Sequence, residues 1–160
     1  MENEEEQKEW LRASFIGITE QKTQEEIKSF LSETNEEKPS FEVLYTNIMS
    51  ASTDKKLRDN EKDMLWNFTL LDASTNRSYG NAIFPAKRRV IIGKDKGKKI
   101  IVGANFEINE TEGAIAFIPP CTKNVFLKYY NPMTNNIREW DKEDAEAYMT
   151  NIKNTLYLFL

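Results

Sequence analysis

The sequence predicts an α+β chain, mostly helical. Apolar residues recur at helical spacing through the first fifty positions, and a stretch from Gly97 to Ile118 is glycine-punctuated and β-branched, as short strands are. Residues 141–160 then return to a helical period behind an acidic cap. At 160 residues the chain suits one domain with a sizeable core, divided by composition into an acidic helical part (1–63), a basic core (64–130) and a C-terminal helix (131–160).

Each element has its own signal. Trp10, Leu11, Ser14, Phe15 and Ile18 share one helical face. Thr23 and Glu26 have the spacing of a capping box, with Ile27, Phe30 and Leu31 as the apolar face behind it. "NEEKPS" breaks the pattern, and Ser40 is placed to cap a third helix that shows Phe41, Leu44, Tyr45, Ile48 and Met49 on one side. "DKKLRDNEKDM" offers only Leu57 and Met64 as anchors for a fourth. "WNFTLL" reads as a strand, being aromatic and β-branched in a short run. "DASTNRSYGN" is turn-rich with room for a short helix, and Pro85 suits the first turn of a helix through Ile92. "KKIIVGANFEINE" and "GAIAFI" predict two or three strands. "PPCTKNVFLKYY" restarts a helix with Val125, Phe126, Tyr129 and Tyr130 inward. Asp141, with Asp144 at the third helical position, opens the last helix, carrying Ala145, Tyr148, Ile152, Leu156 and Phe159.

Composition narrows the function. Hydrophobic residues at 39% and charged ones at 30% describe an ordinary globular chain. No apolar run approaches the ~20 residues of a membrane helix, and the acidic N-terminus is unlike a signal peptide. Cys121 is alone, which excludes an internal disulfide and points to a reducing cytosol. With no histidine to activate it, Cys121 reads as a packed thiol rather than a nucleophile. The net charge of −4 is uneven: residues 1–63 hold 9 basic and 16 acidic side chains, whereas residues 64–130 hold 10 basic and 5 acidic. A basic middle between acidic ends suggests a local anion-binding face, or else a solvated helix surface.

The chemistry-bearing residues cluster in "NFTLLDASTNRSYGNAIFPAKRR". Asparagine amides orient imidazoles, ligate hard metals or hold phosphates, while lysine and arginine neutralise phosphate. Asparagines in turns also satisfy backbone groups, and the residues alone leave both readings open. This block resembles the second half of an HNH (ββα-metal) nuclease motif, and more narrowly the C-terminal HNH domain of GmrSD-type modification-dependent restriction endonucleases. "FIPPCTKNVFLKYY" and "WDKEDAEAYMTNIKNTL" are similar to the helices that follow the motif, and "EEQKEWLRASF" to a helical insertion within it.

The resemblance implies an α+β fold with an incomplete ββα-metal core, and a bacterial, cytoplasmic role in restriction and phage defence. It implies that Asn67 braces a catalytic histidine, that Asn76 helps hold a divalent metal (Mg or Mn), and that Arg77, Lys87, Arg88 and Arg89 contact nucleic-acid phosphates. Tyr79 and Asn81 fall in the same block without a separable role. The family's first strand, which carries an acidic residue followed by histidine, has no counterpart, and the sequence contains no histidine. A general base contributes roughly 10²–10⁴ in rate. The expectation is therefore a truncated or split DNA-binding domain, inactive alone, completed by a protein partner that supplies the missing strand. The alternative is a non-catalytic interaction module regulating a full-length relative.

Overall fold

The computed structural model describes residues 3–32, 38–50, 57–134 and 136–159. Along the chain run α1 (Glu4–Phe15), α2 (Gln21–Leu31), α3 (Phe41–Ser50), α4 (Asp59–Lys62), a 3₁₀ turn (Leu65–Asn67), α5 (Ala73–Arg77), α6 (Phe84–Asp95), β1 (Lys98–Val102), β2 (Ile108–Glu112), α7 (Pro120–Phe126) and α8 (Lys142–Tyr157). The architecture is α+β and mostly helical, as the sequence predicts. Its sheet is one antiparallel hairpin, with Lys98 opposite Glu112 and Val102 opposite Ile108.

Two apolar clusters hold the chain together. The first joins Trp10, Leu11 and Phe15 of α1 to Ile18, Ile27 and Leu44, with Phe30, Phe41, Ile48 and Met49 around them. Val102, Phe106 and Ile108 bring the hairpin onto the same cluster, so the strands cover the N-terminal helices. Phe15, Leu11, Ile27 and Leu44 are fully buried, and each such side chain stabilises the fold by about 1.5–3 kcal/mol. The second cluster comprises Tyr79, Val90, Ile91, Ile118 and Phe126.

Polar ties lock α1 to the chain ahead of α6. Ser14 is buried, and its Oγ accepts a bond from Ile83 N–H (3.3 Å). The Trp10 indole N–H donates to the Asn81 carbonyl (3.1 Å). Gly17 lies so close to α6 that a side chain there would meet the Pro85 backbone carbon at 2.9 Å. Helix α6 begins as predicted, with Pro85 in its first turn, and ends before Gly97, whose φ of +68° turns the chain into β1.

Several expectations fail, each for a local reason. "WNFTLL" is not a strand: Leu65–Asn67 closes a 3₁₀ turn, and residues 68–71 have no regular structure and pair with no strand among the described residues. Leu65, Phe68 and Leu70 are exposed as a result. "GAIAFI" likewise lies outside the hairpin, tethered by Gly113 N–H to the Gly97 carbonyl and Ala116 N–H to the Lys94 carbonyl. Thr23 and Glu26 form no capping box, because α2 starts at Gln21; the Thr23 hydroxyl lies inside the helix and donates to Glu20 Oε2 (2.9 Å). Of the polar fourth segment, residues 54–56 lie outside the described residues, and only Asp59–Lys62 is helical. The break at "NEEKPS" also falls partly outside them; Ser40 does cap α3, its Oγ accepting from Val43 N–H (3.3 Å).

Helix α8 opens at Asp141 as predicted, and its first turn forms a capping box. Asp141 Oδ1 accepts from Asp144 N–H (3.0 Å), and Asp144 Oδ2 accepts from Asp141 N–H (3.1 Å). Ala145 and Tyr148 are buried, but Leu156 and Phe159 are exposed because the helix runs past its packing partners. Asp144 also receives the Lys128 ammonium in a buried ion pair. That ammonium bonds the Glu139 carbonyl as well and lies 5.3 Å from the Phe84 ring centroid and 5.7 Å from that of Trp140.

Removing one partner of a buried pair leaves an uncompensated charge. Lys128→Met or Asp144→Leu alone is expected to lower unfolding free energy by about 3–5 kcal/mol in urea titrations. The double variant should recover part of that loss, short of the capping that Asp144 provides. A loss in the double variant equal to the sum of the two single losses would show that the pair is not coupled.

Candidate nucleic-acid interface

The candidate site is built on α5 and the start of α6. Asp72 caps α5: its Oδ1 accepts from Ser74 N–H (2.9 Å), Ser74 Oγ–H (2.6 Å) and Thr75 N–H (3.0 Å). These bonds hold its carboxyl well below the usual carboxylate range. Thr75 is buried beneath the helix, and its Oγ1 accepts from Lys94 Nζ (3.4 Å). The chain then turns through Gly80, at φ +50°, before α6.

Between the two helices stands a short chain of contacts. The Tyr79 ring is buried in the second cluster, and its hydroxyl donates to Asn76 Oδ1 (2.8 Å). Lys87 Nζ sits 5.6 Å from the centroid of the same ring. Lys87 is half-buried with no carboxylate partner among the described residues, and desolvation holds its ammonium below the ordinary lysine value of 10.5. Burial pushes the Tyr79 phenol upward. Arg77, in the last turn of α5, is exposed.

The other predicted residues have structural tasks. Arg88 Nε donates to the Phe126 carbonyl (2.8 Å) and so ties α6 to α7. Arg89 pairs with Glu110 (3.0 Å) and donates to the Ile16 carbonyl (3.5 Å), joining α6 to the hairpin and to the end of α1. Asn67 is exposed, its Nδ2 donating to the Lys62 carbonyl (2.7 Å). Asn81 contributes its carbonyl to Trp10 while its side chain faces solvent. Asn67 and Asn76 each have a local partner, and the structure records no contact joining them.

The residues present do not fit a divalent metal. A hard cation takes about six oxygen ligands. Here the Asn76 amide oxygen already accepts from Tyr79, and among the described residues no group of three or more His, Cys, Asp or Glu side chains is placed to hold an ion. Cys121 is half-buried, its sulfur 4.0 Å from Thr122 Oγ1. No helix of the described residues is long and apolar enough to cross a membrane. Compared with protein-family models, curated proteins and solved structures, the chain matches none.

Sequence reasoning missed Asp72 and Lys128. Asp72 had a signal, an acidic residue just ahead of Ala-Ser-Thr in a turn-rich stretch. Lys128 had none, since its partner lies sixteen positions away.

Two measurements test these assignments. Arg88→Ala is expected to lower stability by about 1–3 kcal/mol by orphaning the Phe126 carbonyl, seen as a shifted denaturation midpoint; no shift would return Arg88 to the list of free cations. The folded chain should release the Lys87 proton at lower pH than the unfolded chain does. Between that lowered value and 10.5 the unfolded state holds more protons, so this group's contribution to stability rises with pH through the window, while its charge for anions is lost. Side-chain NMR titration should find Lys87 deprotonating ahead of the exposed lysines, and a midpoint at or above 10.5 would contradict the burial argument.

Proposed function

We propose that this chain is a DNA-binding domain of HNH-endonuclease type, truncated or split, and catalytically incomplete by itself. The observation that carries the reading is Lys87: a half-buried ammonium without a carboxylate partner among the described residues, seated on the ring of Tyr79, with Arg77 exposed two residues before that tyrosine in the sequence. A cation that is desolvated and not neutralised internally gains most from an anion brought to it, and nucleic-acid phosphate is such an anion. The fold class and the basic charge of residues 64–130 support the same reading. Phosphodiester cleavage would require a protein partner to bring the absent histidine together with the ligands for Mg or Mn, and Asn67, exposed with its Nδ2 held by the Lys62 carbonyl, would offer its amide oxygen to orient that histidine.

A second reading draws on a specific observation. Phe68 and Leu70 on one irregular segment, and Ile115 and Phe117 on another, are exposed. Leu71 and Ala116, the inward neighbours of the two segments, both pack on the second cluster. Exposed apolar side chains of this kind suit a non-catalytic protein-interaction module that occupies the assembly surface of a full-length relative.

Binding of a short DNA duplex across a salt series separates the two. The log–log slope is about 0.9 per phosphate neutralised, and Arg77→Gln with Lys87→Gln should reduce it by roughly 1 to 2. Arg88 and Arg89 are left intact, because their removal perturbs the fold. Absence of binding at low salt would overturn the nucleic-acid reading and leave the interaction module in its place.

A further inference from the structure

From the geometry at the exit of α7, we infer a binding site for a neutral planar heterocycle, a nucleobase, with Tyr129 as its stacking wall. An open depression of about 520 Å³ lies there, lined by Leu127, Lys128, Tyr129, Asn131, Thr134 and Ile137. Its size lies within the range of small-ligand pockets, roughly 300–1,000 Å³.

The backbone is arranged to present Tyr129. Lys128 adopts φ +59°, a left-handed conformation that disfavours a residue with a Cβ. It holds this geometry while its ammonium is buried against Asp144 and the Glu139 carbonyl. The turn sends Tyr130 inward, where it stacks on Tyr148 at 5.2 Å, and Tyr129 outward, 68% exposed. Tyr129 meets Tyr130 edge-on at 6.0 Å, so an aromatic ladder from the interior supports the exposed ring. Strain held by a buried ion pair in order to expose an aromatic ring is a pattern that points to use.

The lining selects the ligand. Lys128's charge is already met by Asp144, so the pocket offers no free ion to a charged group. Asn131 donates from Nδ2 to Asp144 Oδ1 (3.3 Å), which leaves its amide oxygen as an acceptor. Thr134 Oγ1 accepts from Asn136 N–H (3.2 Å), which leaves its hydroxyl proton to donate. An aromatic face with one acceptor and one donor matches the edge and face of an unpaired base. Arg138, next to Ile137, is exposed and available to an attached phosphate. The inference rests on the nucleic-acid reading above for the source of the ring, a single strand; a free nucleoside is the other source of the same chemistry.

The test titrates the full chain with adenosine and thymidine, which carry the ring without phosphate, and with a single-stranded oligomer and the matching duplex. Tyr129 is exposed, so Tyr129→Ala should fold, which circular dichroism checks, and Tyr129→Phe keeps the ring. Nucleosides should saturate the chain, Tyr129→Ala should weaken them and the single strand about 5- to 150-fold, and Tyr129→Phe should restore both. Nucleoside binding that depends on Tyr129, beside single-strand binding that does not, keeps the ring site and assigns it to free nucleosides. Nucleosides that fail to saturate, or that bind Tyr129→Ala as well as the parent, overturn the site. Duplex binding is scored separately: its loss in the parent chain counts against the proposed function, whereas the nucleoside titration decides the ring site.

Discussion

The buried ion pair between Lys128 and Asp144 joins parts of the chain that lie far apart in sequence. An ammonium removed from water carries a penalty of several kcal/mol unless its surroundings compensate it. Here the compensation comes from Asp144 at the start of α8, the Glu139 carbonyl in the preceding loop, and the faces of Phe84 on α6 and Trp140. Four parts of the chain must therefore be in place together, which couples the C-terminal helix to the segment that carries the candidate site. Lys128 takes its left-handed conformation within this contact, and the turn sends one of two adjacent tyrosines inward onto Tyr148 and leaves the other exposed.

Charge by composition and charge by geometry diverge in the middle of the chain. Residues 64–130 are rich in lysine and arginine, yet many of these are engaged: Arg89 with Glu110, Lys98 with Glu112, Lys123 with Asp95, Lys128 with Asp144, and Arg88 with a backbone carbonyl. What remains for an external anion is narrower, chiefly Arg77 and Lys87, with the exposed Lys96 and Lys99 near the hairpin. A basic run such as Lys87-Arg88-Arg89 on a helix places its three side chains in different directions. Here one rests on a tyrosine ring and two fasten the helix to its neighbours.

Period and capping were legible in the sequence. The apolar faces of α1 and α3, the start of α6 at Pro85 and the Asp141–Asp144 box follow from local rules that act within a few residues. The strand expected at "WNFTLL" was not legible, because strand formation depends on a neighbour elsewhere in the chain and composition cannot show that none is supplied. The candidate site divides the same way. Lys87, Arg77 and Asn76 stand out by residue type, but the Tyr79 hydroxyl that occupies Asn76, and the carbonyl that occupies Arg88, are tertiary facts. Tyr129 fell to the wrong side because the turn depends on a lysine paired far along the chain.

The two irregular segments, 68–71 and 113–118, bear no charged side chain, whereas the cations left for an external anion are chiefly Arg77 and Lys87. Added electrolyte acts on these surfaces in opposite senses. Screening weakens contacts made by exposed charges, while excluded salts such as sulfate strengthen burial of apolar surface. Ionic composition therefore acts as a selector between partners: dilute buffer favours whatever the cations hold, and concentrated sulfate favours whatever covers Phe68, Leu70, Ile115 and Phe117.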